Sequence, residues 1–299
     1  MRAYQASRTA LKVARVLLYV ATDPRRAELL PPGSVETTEA LLRAAGALQD
    51  WHLRVYRGPR SRRLLGWAEG KLLPGQSTHL VLRKRFIDDE TRAAIEDGAT
   101  QVLVVGAGFD TLGLRLARAH RGVRFIEVDH PATQSLKRHA LDQLDRPANL
   151  HLYPADLGET SLPEVLDELG WDPDARSVVI AEGLLMYLDE HDVADFLRGV
   201  ASVLSPRSRM LGTYLLPDER GRPQMGRLGG LSRASLALLG EPMRWAVSPE
   251  EIATLLLDCG LEPSAQPGRV DLRLRYLVPA GLDALPLATI ERVFTAART

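Results

Sequence analysis

Disulfide bonds are excluded at the outset, because the 299-residue chain has a single cysteine, Cys259, and no Cys/His spacing in it suits zinc. An excess of charge is also missing, with 38 Lys and Arg against 38 Asp and Glu. A formal net charge of zero gives no global attraction for nucleic acid or anionic membranes, so a charged ligand has to be held by a local site. Aromatic residues are 5% of the chain, which mildly disfavours a stacked aromatic substrate. No apolar run approaches the ~20 residues of a membrane span. The apolar stretch near the N-terminus is broken by Lys12 and Arg15 and has no small-residue cleavage site, so it is expected to be an amphipathic helix. There is no internal repeat and no low-complexity segment. These absences predict a soluble, cytoplasmic protein with a small-molecule partner and neither a nucleic-acid nor a membrane partner.

What is present is a large apolar fraction, 45%, enough for one large domain or two small ones. Apolar positions recur at helical spacing through Leu11–Leu30 and Thr38–Leu48, with Pro31-Pro32-Gly33 between them, so residues 1–100 are expected to be a helical segment covering the ligand site. Arg54–Arg63 is arginine-rich and is expected to be a solvated helix face without a role. From Gln101 the pattern changes to strand-length apolar runs at Val102–Val105, Val123–Val128, Leu150–Tyr153, Val178–Ala181 and Met210–Leu216. Helical patterns at Thr111–His120, Pro131–Leu144, Leu162–Leu169 and Glu190–Leu204 lie between them. This alternation predicts a doubly wound α/β fold with a mostly parallel sheet. Pro217–Val247 is expected to be an insertion or lid, with a helix at Leu231–Leu239. A further helix is expected at Ser248–Cys259, and Leu272–Val278, which alternates Leu and Arg, is expected to be an edge strand.

In open α/β sheets ligands bind beyond the carboxyl ends of the strands. The residues there are Gly106-Ala107-Gly108-Phe109-Asp110 after the first strand, Glu127-Val128-Asp129 at the end of the second, Asp156-Leu157 after the third and Glu182-Gly183 after the fourth. The glycines let a backbone approach a ligand. A dinucleotide fingerprint would want glycine where Thr111 stands, and Asp110 would repel a phosphate at the following helix N-terminus. The acid ending the second strand suits a ribose diol, Asp156 can accept from an adenine amino group, and Glu182 can pair with an ammonium. Ribose, adenine and an amino-acid ammonium together describe S-adenosylmethionine.

The segments VLVVGAGFDTL, FIEVDHP, PADL and VVIAEGLLMYL, in that order and spacing, resemble the leucine carboxyl methyltransferase-like class I methyltransferases. SRTA and LRKRFIDDE upstream match too, and Val104-Val105 stands where many other class I methyltransferases place an acid. The resemblance implies a seven-stranded Rossmann-like sheet, S-adenosylmethionine as cofactor and S-adenosylhomocysteine as product. It implies that Arg83 holds the methionine carboxylate, with Arg8 a second basic contact. Gly106, Gly108 and Asp110 would line the cofactor, Asp129 with Glu127 as competitor the ribose, Asp156 and Leu157 the adenine, and Glu182 the methionine amine. Tyr187 would lie near the sulfonium, as the one catalytic candidate.

Competing structural explanations are a salt bridge for Arg85, a buried aromatic for Tyr187, helix-side histidines for His130, His139 and His191, and core packing for Leu184, Leu185 and Met186. Met225, Met243 and Trp245 could line an apolar acceptor pocket or simply pack a lid. No His/Asp pair suggests a general base, which leans the acceptor slightly toward a carboxylate, ionised at neutral pH, or an acidic hydroxyl. The expected reaction is therefore O-methylation of a small molecule. Its rivals are methylation of a protein C-terminal carboxylate, a nicotinamide-dependent oxidoreductase, disfavoured by Thr111 and the lack of a Tyr-x-x-x-Lys pair, and a cofactor-binding protein without catalysis.

Overall fold

A computed structural model describes residues 7–225 and 241–298. The helical part comprises α1 (Arg8–Val20), α2 (Pro24–Ala27), α3 (Ser34–Ala44), α4 (Asp50–Arg57), α5 (Pro59–Leu72) and the long α6 (Gln76–Glu96). The helical spacing over 11–30 is divided between α1 and α2, because Asp23 caps a new start at Pro24, whose ring suits only a first turn. The alternation follows as β1 (Gln101–Val105), α7 (Leu112–Ala119), β2 (Arg124–Asp129), α8 (Pro131–Leu141), β3 (Leu150–Pro154), α9 (Leu162–Glu168), β4 (Ser177–Ala181), α10 (Glu190–Val203) and β5 (Arg209–Leu215). After these come a helix at Pro249–Asp258, β6 (Leu261–Ala265) and β7 (Glu291–Arg298). Each of the five expected strands and four expected crossover helices is found within a few residues of its predicted ends.

The seven strands run in the order β3-β2-β1-β4-β5-β7-β6, parallel except for β7, which is antiparallel to both neighbours. The order reverses between β1 and β4, which opens a crevice at their carboxyl ends. Period-2 alternation divides the core. Val102, Val104, Val178 and Ile180 pack under α6, α7 and α8. Leu103, Val105, Val179 and Ala181 pack against α9, α10 and the Pro249–Asp258 helix.

The expected strand at Leu272–Val278 is helical instead: Arg269–Leu272 is an α-turn continued by a π-turn, Arg273–Leu277. Leu272 and Leu277 are its buried residues, five apart, a spacing a π-turn can bring to one side. Arg275, expected on a strand's wet face, lies 5.1 Å over the Phe86 ring and pairs with Glu90 at 2.8 Å. The edge at this side of the sheet is β6, and β7 lies between it and β5. Of the expected insertion, Trp245 and Val247 are buried in the core, whereas the helix expected at Leu231–Leu239 lies outside the described residues. Among the described residues, no helix is long and apolar enough to cross a membrane.

Candidate functional site at the carboxyl edge of the sheet

The turn after β1 is built around two glycines with positive φ, Gly106 at 69° and Gly108 at 48°. Gly106 donates its N–H to the Val128 carbonyl at 2.8 Å, which ties the turn to β2. At Gly108 a side chain is excluded twice over, by the left-handed backbone and because an added Cβ would lie 2.9 Å from Cβ of Ala10 in α1. The first turn of α1 therefore covers the glycine turn. Gly108→Ala is expected to destabilise the fold by ~1–3 kcal/mol, read as a lower thermal midpoint.

Residues i and i+2 share a face of a strand, so Glu127 and Asp129 point the same way, and depth separates them rather than direction. Glu127 is 1% exposed and lies 2.6 Å from Nζ of Lys137, itself fully buried. It passes so close beneath α7 that a Cβ on Gly113 would collide with its Oε1. Burial pushes the Glu127 carboxyl up, against the pull of Lys137. The half-buried Asp129 instead ends the strand, where Oδ2 accepts from the Gly108 N–H at 2.5 Å and Oδ1 from the His130 N–H at 2.7 Å. Burial raises its pKa while these two bonds oppose the rise. Each oxygen keeps acceptor capacity, and the carboxylate lies at the open end of the strand.

A second cluster joins α6 to β4 and β7. Arg83 donates Nε to Glu182 at 2.8 Å and Nη1 to both oxygens of Glu291 at 2.7 Å. Nη2 makes no hydrogen bond among the described residues and lies on the side of Gly183. Lys84 bonds to Asp110 and reaches Glu182 at 3.1 Å. Although burial works against charge here, the partners outweigh it: Arg83 and Lys84 are raised, and Asp110 is held well below the usual carboxylate range by Lys84. Glu291, also buried, is pushed down to about 2 by Arg83 and His79.

A carboxyl whose folded pKa lies below its unfolded value stabilises the fold above the unfolded value, and the effect is lost as pH falls toward the folded one. Acid unfolding of the wild type is thus expected to draw on Glu291 between about pH 4.5 and 2. Glu291→Gln should flatten that part of the stability curve.

The remaining sequence candidates are spread around this centre. Asp156 is exposed, accepts from the Gly158 N–H at 3.0 Å and lies 3.6 Å from His130 Nε2, with Leu157 half-buried beside it. Tyr187 closes a 3₁₀ turn, Leu185–Tyr187, and burial pushes its phenol up to about 12, partly offset by a hydrogen bond with Thr9. Arg8 is exposed at the start of α1, and its backbone N–H rather than its guanidinium is engaged. Arg85 pairs with Asp89 at 2.9 Å, as its salt-bridge explanation requires.

Four polar residues of the site were not singled out from the sequence. His79 and Lys84 lie on α6 beside Arg83, and the i, i+4 spacing of His79 and Arg83 was the available signal; Nε2 of His79 is 3.5 Å from Glu291. Glu291 opens β7, a strand the sequence did not disclose. Glu241, 8% exposed, accepts the N–H groups of Arg8 and Thr9 at 3.1 Å and the Thr9 hydroxyl. A carboxylate at a helix N-terminus satisfies donors with no partner inside the helix.

The family model of leucine carboxyl methyltransferases matches residues 21–201. A relative from Parafrankia sp., named for S-adenosyl-L-methionine-dependent methyl transfer, is 32% identical over 186 residues, or 58% of this chain and 59% of its own length. The chain spans between about half and three fifths of the length of the first curated relatives it matches. Among solved structures, a DUF574 family protein from Streptomyces avermitilis superposes with a TM-score of 0.58 at 15% identity, covering 87% of this chain and 96% of its own. A candidate methyltransferase from Thermobifida fusca gives 0.56 at 19% identity, covering 87% and 93%. At such identities these two share the fold.

Proposed function

Since this chain belongs to the leucine carboxyl methyltransferase family, we propose that it transfers a methyl group from S-adenosylmethionine to an oxygen of a small molecule, a carboxylate before a hydroxyl. The observation that carries this reading is the convergence of a glycine turn, a strand-end carboxylate and a buried arginine fork on one edge of the sheet. Gly106 and Gly108 leave backbone open for close approach. Asp129, with acceptor capacity remaining, suits the ribose diol, and Nη2 of Arg83 suits the methionine carboxylate. Glu182 and Glu291 hold Arg83 in place and give the edge a negative environment for an ammonium and a sulfonium. Glu127, sealed under α7 with Lys137, supports the turn from below. Asp156 and Leu157 are assigned to the adenine, and Arg8, whose side chain is exposed, would act only at the rim.

The bound cofactor supplies an electrophilic methyl group on a positively charged sulfur. The chain's task is alignment, which for well-oriented reactants can be worth ~7–11 kcal/mol. With a pKa near 12, Tyr187 stays protonated at neutral pH, so it serves as a hydrogen-bond donor and packing surface rather than as a base. A carboxylate acceptor is already ionised and requires no base. This favours an ester product over an ether.

Calorimetric titration of the full chain with S-adenosylmethionine and with NADH tests the cofactor; binding of NADH alone would overturn the assignment. Asp129→Asn is expected to weaken S-adenosylmethionine about ten- to a hundred-fold, the loss of ~1.5–3 kcal/mol from a charge-assisted contact. For the acceptor, label from methyl-labelled cofactor should enter a small product of a cell extract and be released as methanol by mild base. Base-stable label would identify an ether. Label that stays with protein would identify a protein acceptor, and no transfer despite tight binding would identify a protein without catalysis.

A further inference from the structure

None of the 14 residues of helix α5 is buried, which among the described helices is otherwise true only of the four-residue α2. A helix ordinarily hides an apolar stripe against its neighbours. Here Leu64 is 64% exposed, Trp67 63% and Leu72 42%. Leu64, Trp67 and Lys71 follow the i, i+3, i+7 spacing of one helix face, and Arg60 extends that face by a turn. The preceding helix α4 adds Trp51, 59% exposed.

Charge accompanies this apolar face. Between residues 50 and 72 the sequence has five arginines and one lysine against two acids, Asp50 and Glu69, although the whole chain is neutral. Both acids are engaged by residues outside α4 and α5, Asp50 by Arg43 and Glu69 by Ser77. Among the described residues, Arg60, Arg63 and Lys71 form no ion pair, whereas Arg83, Arg92 and Arg115 are all paired.

We propose that α4 and α5 form a docking face for an anionic lipid surface, with Trp67, Leu64 and Leu72 entering the headgroup boundary while Arg60, Arg63 and Lys71 meet lipid phosphates. Long cationic side chains lie along apolar surface and extend their charge outward, tryptophan favours such boundaries, and a helix of this composition lies in the plane of the interface. A second copy is a poorer occupant, because a self-complementary interface would set arginine against arginine. Attachment would be peripheral, and it replaces the expectation that the neutral chain has no membrane partner. Glu69 accepts from the Ser77 N–H at 2.8 Å, so the docking face is fastened to the start of α6, the helix that bears Arg83. The proposal does not depend on which acceptor is methylated.

The test is co-sedimentation of the full chain with phosphatidylcholine vesicles, with and without phosphatidylglycerol. Binding is expected to be at least about tenfold stronger with the anionic lipid and to weaken with salt. Tryptophan emission should shift to the blue on binding. L64S/W67S and R60E/R63E should each lose at least about tenfold while keeping the wild-type melting temperature, because all four residues lie off the core. Equal binding to neutral and anionic vesicles, or full binding by both variants, would overturn the proposal. So would the absence of vesicle binding alongside a dimer, or a complex with an acidic protein, that these substitutions abolish.

Discussion

Arg83→Ala is expected to abolish cofactor binding measurable by calorimetry and to lower the thermal midpoint. The side chain is 7% exposed and forms ion pairs with both Glu182 and Glu291. Removing it strips Glu291 of its arginine and leaves Glu182 to Lys84 alone in a poorly solvated space, and breaking a buried pair in this way typically costs ~3–5 kcal/mol. Stability and binding can be separated. Adding Glu291→Gln to Arg83→Ala removes one stranded charge, so the double variant should recover part of the midpoint. It should not recover cofactor affinity if Nη2 holds the methionine carboxylate. Arg83→Lys provides the complementary comparison: one ammonium cannot reproduce a fork that bonds Glu182 and Glu291 while presenting a third nitrogen. It should retain more stability than alanine and little more affinity. Wild-type affinity in R83A/E291Q would remove Arg83 from the cofactor site.

The second large effect is expected at Lys137. Its ammonium is fully buried, 2.6 Å from Glu127 and 2.7 Å from the Asp110 carbonyl. Lys137→Met matches the bulk of the side chain but leaves Glu127 without a counter-charge, and burial already drives that carboxyl toward its neutral form. A loss of ~3–5 kcal/mol is expected near neutral pH. Because the unpaired Glu127 would fold more readily protonated, the variant should regain stability as pH falls through the acid range, opposite to the trend from Glu291. The double variant K137M/E127Q removes both charges and should lie much closer to wild type. Denaturant melts across pH check both statements, and a K137M variant as stable as wild type at neutral pH would show that the pair contributes nothing net.

The parts of the fold that could be read from the sequence are those where local pattern and tertiary role coincide. The five parallel strands are short apolar runs because both their faces are covered, and the crossover helices carry a 3.6-residue period for the complementary reason. The strand-end residues follow from these boundaries, so Gly106, Asp129 and Glu182 could be located before any coordinates. Their partners could not. Glu291 depends on β7, whose ERVFTAAR mixes charged and apolar residues without a strict period. β6 holds a proline, and its register is irregular near Pro263, so it too lacks a clear strand signature. At Leu272–Val278 an alternation of Leu and Arg misled, because Arg275 has its partners on α6 and Arg273 bonds the Leu285 carbonyl rather than water. The pairing of Lys137 with Glu127 joins a strand to the helix that follows it, ten residues on, and no spacing rule encodes it.

The reversal of β7 has a consequence for the order in which the site is assembled. Because this strand alone runs against the others, its first residue rather than its last reaches the ligand edge, and so a residue 208 positions beyond Arg83 completes the arginine's setting. During synthesis the glycine turn, Asp129 and Glu182 all leave the ribosome well before Glu291. The nascent sheet would then expose an arginine with half its counter-charge and a parallel edge at β5 with no neighbour. Competence to hold the ligand is thus expected to appear late and abruptly, when the final antiparallel strand slots between β5 and β6.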